Sequence, residues 1–214
     1  MALDTYTNLK TAIANFLARD DLTSEIDDFI DLTEAEFNRE LRIRAMETSV
    51  SFTIDSEQET LPTGFLGVRS FFVNNSGKET LQFVTPYHQF HTRGSSQSGT
   101  PRTYSIEGSN FRFAPAPDTS YTATLVYYKA FDSLDGSTAT NYILTNHPDV
   151  YLYGSLYHAS NFIRGIDPQT VEQWKGLFVE GINQIKLKDD GDKYNGSPLI
   201  QHSGININNH DNVN

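Results

Sequence analysis

The sequence contains no cysteine in its 214 residues. This absence excludes disulfide bonds, thiolate metal ligands and a cysteine nucleophile. The sequence also has no long apolar run, and residues 1–10 already have the pattern of a polar helix start, so neither a membrane span nor a secretory signal is predicted. We therefore expect a soluble protein that is made and kept in a cytoplasm and has no membrane partner.

Positive charge is also scarce. Sixteen lysines and arginines stand against 27 acidic residues, which gives a formal net charge of −11. A surface of this kind repels phosphate, so nucleic acid is a poor candidate for a direct ligand. Hydrophobic residues make up 37% of the chain, and a chain of this length can bury a sizeable core without covalent staples.

Apolar residues recur at helical spacing near both ends of the chain, at about residues 5–17, 24–45, 148–165 and 168–188. Asp4 or Thr5 is the expected cap of the first helix, and Ser24 with Asp27 three residues later has the pattern of a capping box for the second. Because each helix has an apolar face that needs covering, we expect the four helices to share one bundle.

Between the second and third of these helices the hydrophobic period changes to two, which is typical of half-buried strands. Turn signals at Asn74–Gly77 and Gly108–Ser109 separate paired segments. Six strands are predicted, at residues 48–54, 68–73, 80–84, 103–107, 110–113 and 121–128. They are expected to form a small sandwich or a curled sheet.

The predicted fold is therefore α+β. A four-helix bundle is formed by residues 1–47 and 146–188, and a small antiparallel β module, residues 48–145, is inserted between helices 2 and 3. Residues 189–214 are predicted to form an extended C-terminal arm, with Asp189, Asp190 and Asp192 in a turn that leaves the helix. In helix 4 the apolar stripe is predicted to consist of Val171, Trp174, Leu177, Phe178, Ile182 and Ile185.

No set of residues has the spacing of an active site. His88 and His91 lie three residues apart, but no third metal ligand follows at a suitable spacing, so solvated side chains are the favoured interpretation. His147 is interpreted as a cap residue and His158 as a helix side chain. The acidic residues around Gly191 lack the spacing of a calcium loop. We expect no catalytic residue, no cofactor and no metal, and hence no enzyme.

Two residue clusters have a binding interpretation beside a structural one. Arg39, Arg42 and Arg44 could contact DNA phosphates, but a role at the helix end and an ion pair of Arg44 with Glu40 are favoured. The aromatic residues of the strands, such as Tyr127 and Tyr128, could form a sugar-binding sheet, but at strand spacing they are more often core.

Three segments resemble the head-to-tail adaptor proteins of tailed bacteriophages. They are FRFAPAPDTSYTATLVYY at residues 111–128, NYILTNHPDVYLYGSL at residues 141–156, and helix 2 with Glu34-Ala35, Asn38-Arg39, Leu41-Arg42 and Ala45-Met46-Glu47. The likeness covers roughly residues 5–188. It implies a structural protein of the virion neck, in a ring of about twelve copies beneath the portal protein. Such a ring extends the DNA channel, lets DNA pass without specific binding, and offers a platform to a tail or nozzle protein.

The polar arm with spaced apolar residues suits docking in a groove of a partner. We therefore predict a portal-binding arm whose contact residues are Tyr194, Leu199, Ile200, Ile205 and Ile207. The alternative prediction is a carbohydrate- or receptor-binding tail component that uses the aromatics of the β module. A cell-wall hydrolase, the third possibility, requires two carboxylates that flank a cleft.

Overall fold

The computed structural model describes residues 3–75, 77–92 and 98–194, without the side chains of His91, Thr92 and Tyr194. Within these ranges the chain forms six α-helices: α1 (Tyr6–Leu17), α2 (Glu25–Glu40), α3 (Pro86–Thr92), α4 (Tyr142–Asn146), α5 (Pro148–Phe162) and α6 (Pro168–Tyr194). A 3-10 turn at Arg44–Met46 follows α2. The eight strands are β1 (Glu47–Ile54), β2 (Gln58–Thr60), β3 (Phe65–Asn74), β4 (Lys78–Thr80), β5 (Gln82–Phe83), β6 (Thr103–Glu107), β7 (Asn110–Ala114) and β8 (Tyr121–Lys129).

The strands form two sheets of four. The first has the order β1-β8-β3-β4 and is antiparallel throughout, whereas the second has the order β2-β7-β6-β5 and pairs β5 with β6 in parallel. In β8 the buried residues Ala123, Leu125 and Tyr127 alternate with partly exposed ones, as a strand with one covered face requires. They share one buried cluster with Phe111 and Phe113 of β7, so the two sheets pack face to face.

The helices enclose a second buried cluster, with α5 at its centre. Helix α5 contacts α1, α2, α4 and α6, and its burial on several sides matches its nearly all-round apolar sequence. Gly154 of α5 permits close contact with two neighbouring helices. A Cβ atom at this position would lie 2.5 Å from Thr33 Cγ2 of α2 and 2.7 Å from Phe178 Cε2 of α6. Leu134, Ile143 and Leu144, which precede α5, also lie in this helical core.

The predicted architecture is wrong. A four-helix bundle with a small antiparallel β module was expected, whereas the described residues form an α+β protein with six helices and two four-stranded sheets. Helix α4 was missed because it has fewer than eight residues, too few to display a helical period. The parallel β5–β6 pair also contradicts an all-antiparallel module. The predicted domain boundaries stay a prediction.

The strand predicted at residues 80–84 is in fact two short strands in different sheets. Leu81 is buried between them, and its backbone N–H donates to the Phe71 carbonyl in the first sheet. One residue later, the Gln82 N–H donates to the Arg102 carbonyl beside the second sheet. The chain therefore passes from one sheet to the other at Leu81. Strand β2 was not predicted at all.

The helix ends agree with the sequence at some positions and differ at others. The Thr5 hydroxyl caps α1 by accepting from the Asn8 N–H at 3.3 Å, as predicted. Ser24 makes no side-chain cap bond, so the predicted capping box is absent, and α2 ends at Glu40, not near Ala45. Helix α6 continues to Tyr194, six residues beyond the predicted end. Of its predicted apolar stripe, Phe178, Ile182 and Ile185 are buried, but Leu177 is 41% exposed.

Candidate functional site

Glu34 is a buried carboxylate that joins three parts of the helical core. It lies on α2 and is only 7% exposed. Its Oε1 accepts a hydrogen bond from the Leu134 N–H at 2.8 Å and another from the Tyr151 hydroxyl of α5 at 3.1 Å. The Asn141 amide in turn donates to the Tyr151 oxygen. Glu34 therefore fixes the loop after β8 against α2 and α5.

The environment of Glu34 shifts its pKa. Burial raises the pKa of Glu34 above its usual value, although the hydrogen bonds from Leu134, Ser133 and Tyr151 oppose this rise. Burial and the adjacent Glu34 carboxylate raise the pKa of the Tyr151 hydroxyl as well. Both groups are buried in the helical core and are not open to a substrate. Their pKa shifts therefore reflect a structural role, in which Glu34 and Tyr151 hold α2, α5 and the loop after β8 together.

Glu34→Ala is expected to destabilise the protein by about 2–4 kcal/mol, because it leaves the buried Leu134 N–H and Tyr151 hydroxyl without an acceptor. Glu34→Gln keeps an oxygen at the same place and should cost less than about 1 kcal/mol. Since the folded pKa of Glu34 is raised, its contribution to stability falls as the pH rises above 4.5 through the folded pKa. Urea unfolding between pH 4 and 8 should therefore show a flatter pH profile for Glu34→Gln. Equal losses for the two variants would contradict this role.

A second polar cluster lies where α6 ends. We call it the α6-end network and define it as Arg44, Asp189, Asp190, Asp192 and Lys193. Asp189 Oδ1 accepts from the Arg44 backbone N–H at 3.0 Å and from Arg44 Nε at 3.1 Å. The Arg44 guanidinium also lies 3.2 Å from a carboxylate oxygen of Asp192 and donates to the Asp192 carbonyl. Lys193 Nζ lies 3.0 Å from Asp189 and 2.9 Å from Asp190.

Opposite charges in this network stabilise each other's ionised forms. Burial opposes ionisation of Asp189, but the hydrogen bonds from the Arg44 backbone, Lys193 and the Arg44 side chain outweigh it and lower the pKa of Asp189. Hydrogen bonds to Asp190 and Asp189 raise the pKa of Lys193. The three aspartates lie within α6 and not in the turn that the sequence predicted. The predicted Glu40–Arg44 pair is wrong too, since Glu40 pairs with Lys186 at 2.9 Å.

The histidines do not assemble a metal site in the part of the chain that the structure describes, where no group of three or more His, Asp or Glu residues could hold a metal ion. His88 and His91 lie on α3. His147 precedes α5 but makes no side-chain cap bond. His158 Nε2 on α5 lies 3.4 Å from a Glu36 carboxylate oxygen on α2, so this contact joins two packed helices.

One groove, at the junction between the helices and the first sheet, has two carboxylates in its lining. It has a volume of about 330 Å³ and is lined by residues 45–48, 129–132 and 140–142. Glu47 pairs with Arg69 at 3.3 Å, and Asp132 pairs with Lys129 at 2.9 Å. Both carboxylates are therefore partners of neighbouring cations, which accounts for them without a catalytic role.

Helix α3 and the adjacent strand β5 present aromatic side chains to solvent at the edge of the second sheet. Phe83, Tyr87 and Phe90 are 58%, 71% and 52% exposed, and we call them the α3 surface. Gln89 fixes the helix from its other side, because it is 2% exposed and its amide donates to the Arg112 carbonyl at 3.0 Å. Exposed aromatic rings that lie close together are typical of a contact surface.

The comparison with protein families decides the identity. A model of the SU10 adaptor protein family matches residues 4–202, which is nearly the whole chain. The chain belongs to this family. It is a family of phage head-to-tail adaptors, so the resemblance noted in the sequence is confirmed. The protein is accordingly a structural adaptor of a phage particle, located at the neck of the virion.

Two further findings accompany this assignment. None of the curated proteins matches the chain. Within the described residues, no helix is both long and apolar enough to cross a membrane.

The predicted arm lies largely outside the described residues. Tyr194 is the last residue of α6, and its side chain is not described, while Leu199, Ile200, Ile205 and Ile207 fall outside the described ranges. The structure instead shows what holds the end of α6, namely the α6-end network. Sequence reasoning missed this network because Arg44 and Asp189 are 145 residues apart. The only local signal was three acids at a helix C-terminus, where the helix dipole disfavours them unless cations are near.

Proposed function

We propose that this adaptor forms a ring of about twelve copies beneath the portal, extends the DNA channel and provides the platform to which a tail or nozzle protein attaches. The family match over residues 4–202 is the observation that carries this proposal. A head-to-tail adaptor has to contact a component on each side of the neck, so portal and tail proteins are the partners proposed for it.

The structure supports a scaffold role through its two adjoining cores. The helical core and the face-to-face sheets each bury large aromatic side chains, such as Tyr151 and Phe111, both with no exposed area. Phe37 and Tyr151 make an edge-to-face contact across α2 and α5 with ring centroids 4.9 Å apart. Such packing gives each copy a fixed shape, which a closed ring of identical subunits requires.

The charge of the chain supports passage of DNA without retention. Each copy has a formal charge of −11, so a ring of about twelve copies has a formal charge of about −130. Phosphates find few cations to bind on a strongly acidic surface, and a moving duplex is therefore not held.

The portal contact is proposed to lie in the C-terminal arm, at Tyr194, Leu199, Ile200, Ile205 and Ile207. The alternation of Ile205 and Ile207 with Asn206 and Asn208 suits an extended segment that presents apolar side chains to one side. A weak contact of this kind, repeated around a ring, gives large avidity because each docked copy raises the effective concentration of the next.

Removal of residues 195–214 tests the arm. The cut after Tyr194 keeps the whole of α6 and the α6-end network. The truncated protein is expected to keep its helix content in circular dichroism but to lose co-sedimentation with purified portal rings. A loss of at least tenfold in apparent affinity is expected, since the repeated contact is removed from every copy.

The matched control keeps the arm and changes only one side of it. The double variant Ile205→Asn, Ile207→Asn should weaken portal binding, whereas Asn206→Ser, Asn208→Ser should bind as the parent protein does. A truncated chain that docks as well as the full-length protein would move the portal contact to the described body.

The α3 surface favours a second candidate function, a carbohydrate- or receptor-binding tail component. Its exposed rings Phe83, Tyr87 and Phe90 are the observation behind it. Full-length protein with Phe83→Ala and Phe90→Ala would lose binding to host cells in this case and would keep portal co-assembly. If the parent protein does not bind host cells, this alternative is excluded.

A further inference from the structure

We infer that Arg44 is a positioning residue for the C-terminal arm: it holds the last turns of α6 against the 3-10 turn that precedes β1 and so fixes the point from which residues 195–214 depart. This inference rests on the proposed portal contact of the arm. Arg44 begins the 3-10 turn that leads directly into β1, so its contacts tie the end of α6 to the first sheet.

The last turns of α6 have almost no apolar contact to hold them. Ile185 is the last apolar side chain of α6 that is buried, nine residues before the helix ends. Leu187 is 71% exposed, and among residues 186–193 only Asp189 is buried. Helix ends without tertiary contacts fray. The α6-end network therefore supplies the attachment that packing does not.

The local electrostatics make this attachment necessary. Asp189, Asp190 and Asp192 lie in the last two turns of α6, where the negative end of the helix dipole disfavours acids. Lys193 compensates for part of this charge from within the helix, but it cannot join the helix to anything else. Arg44, which lies outside the helix, is a cation that pairs with two of these aspartates, Asp189 and Asp192.

The geometry of the Arg44 contacts fixes direction as well as position. Asp189 and Asp192 are three residues apart and therefore lie on the same helix face, and one guanidinium reaches both. The Arg44 backbone N–H adds a second contact to Asp189. Several contacts to one face restrict rotation of the helix end about its axis, so the end of α6 is held in a defined orientation.

A defined start matters for binding because it limits the volume that the arm explores. A segment attached to a fixed base has a higher effective concentration at a partner site within its reach than one attached to a frayed helix end. Less conformational entropy is lost on docking for the same reason. Loss of Arg44 should therefore weaken portal binding without removing any residue of the arm.

The first test needs no partner. Amide hydrogen exchange on the full-length protein should show faster exchange at residues 188–194 in Arg44→Ala, by at least about fivefold, and unchanged exchange in β8 and α5. Arg39→Ala is the control, because Arg39 pairs with Glu36 of its own helix at 3.8 Å. Unchanged exchange at residues 188–194 in Arg44→Ala would overturn the inference.

The second test measures portal co-assembly of the same full-length variants. Arg44→Ala should raise the apparent Kd by about fivefold to tenfold, Arg44→Lys should recover most of the affinity, and Arg39→Ala should match the parent. Faster exchange with undiminished portal binding would overturn the positioning role. If removal of residues 195–214 leaves docking unchanged, the proposed portal contact of the arm is wrong. The exchange data would still show separately whether Arg44 holds the end of α6.

Discussion

Gly154→Val is expected to destabilise the protein by about 3 kcal/mol or more. A Cβ atom at this position would lie 2.5 Å from Thr33 Cγ2 and 2.7 Å and 3.0 Å from two ring atoms of Phe178. Both neighbours are buried, Thr33 fully, so neither can move away without disturbing α2 or α6. Overpacking in a dense core costs about 1–3 kcal/mol and more when the backbone has to shift. Urea unfolding monitored by circular dichroism measures the change.

Gly176→Val is the matched control. Gly176 is also in a helix, but a Cβ atom there would meet no atom within 4 Å. Because valine is a slightly better helix former than glycine, the variant should be neutral or slightly stabilising, within about 0.5 kcal/mol. Equal losses for the two variants would mean that α2, α5 and α6 do not pack as closely as described.

Phe111→Ala is expected to cost about 3–5 kcal/mol, because it empties the centre of the β core. Phe111 has no exposed area and lies on β7, between the two sheets. Its ring centroid is within 6.1 Å of five others, those of Phe52, Phe65, Phe71, Tyr104 and Phe113. The free energy of unfolding from urea titration is the relevant measurement.

Leu177→Ala provides the comparison on the helical side. The sequence places Leu177 in the apolar stripe of α6, but the structure leaves it 41% exposed. Its removal should therefore cost less than about 1 kcal/mol, since little apolar area returns to water. A loss as large as that of Phe111→Ala would mean that Leu177 is covered, for instance by a neighbouring copy.

Local sequence signals predicted the segments whose structure depends on a few adjacent residues. The cap at Thr5, the start of α5 at Pro148 and the two-residue loop between β6 and β7 are all found as predicted. Gly108 in that loop has a φ of 60°, which glycine adopts without strain. These features require no contact with distant residues, so the local sequence is sufficient to predict them.

The pairing of distant segments was not predictable in the same way. Leu81 lies within a run that looks like one strand, and only the competing hydrogen bonds to Phe71 and Arg102 divide it between two sheets. Likewise, the acidic residues near the end of α6 have the sequence pattern of a turn, and the contact with Arg44, which is distant in sequence, accounts for their place in a helix. The choice of partner depends on which segments are brought together in space, and no short window contains that information.

The sequence by itself determined the adaptor family, the absence of cysteine chemistry, the acidic charge and the periods of the main helices and strands. Tertiary structure alone decided the division of the β region into two sheets, the burial of Glu34 as a clamp, the exposure of Leu177 and the anchoring of α6 by Arg44. The physical reason is that periodicity and capping act within a few residues of the backbone. Burial and ion pairing arise only when elements distant in sequence meet.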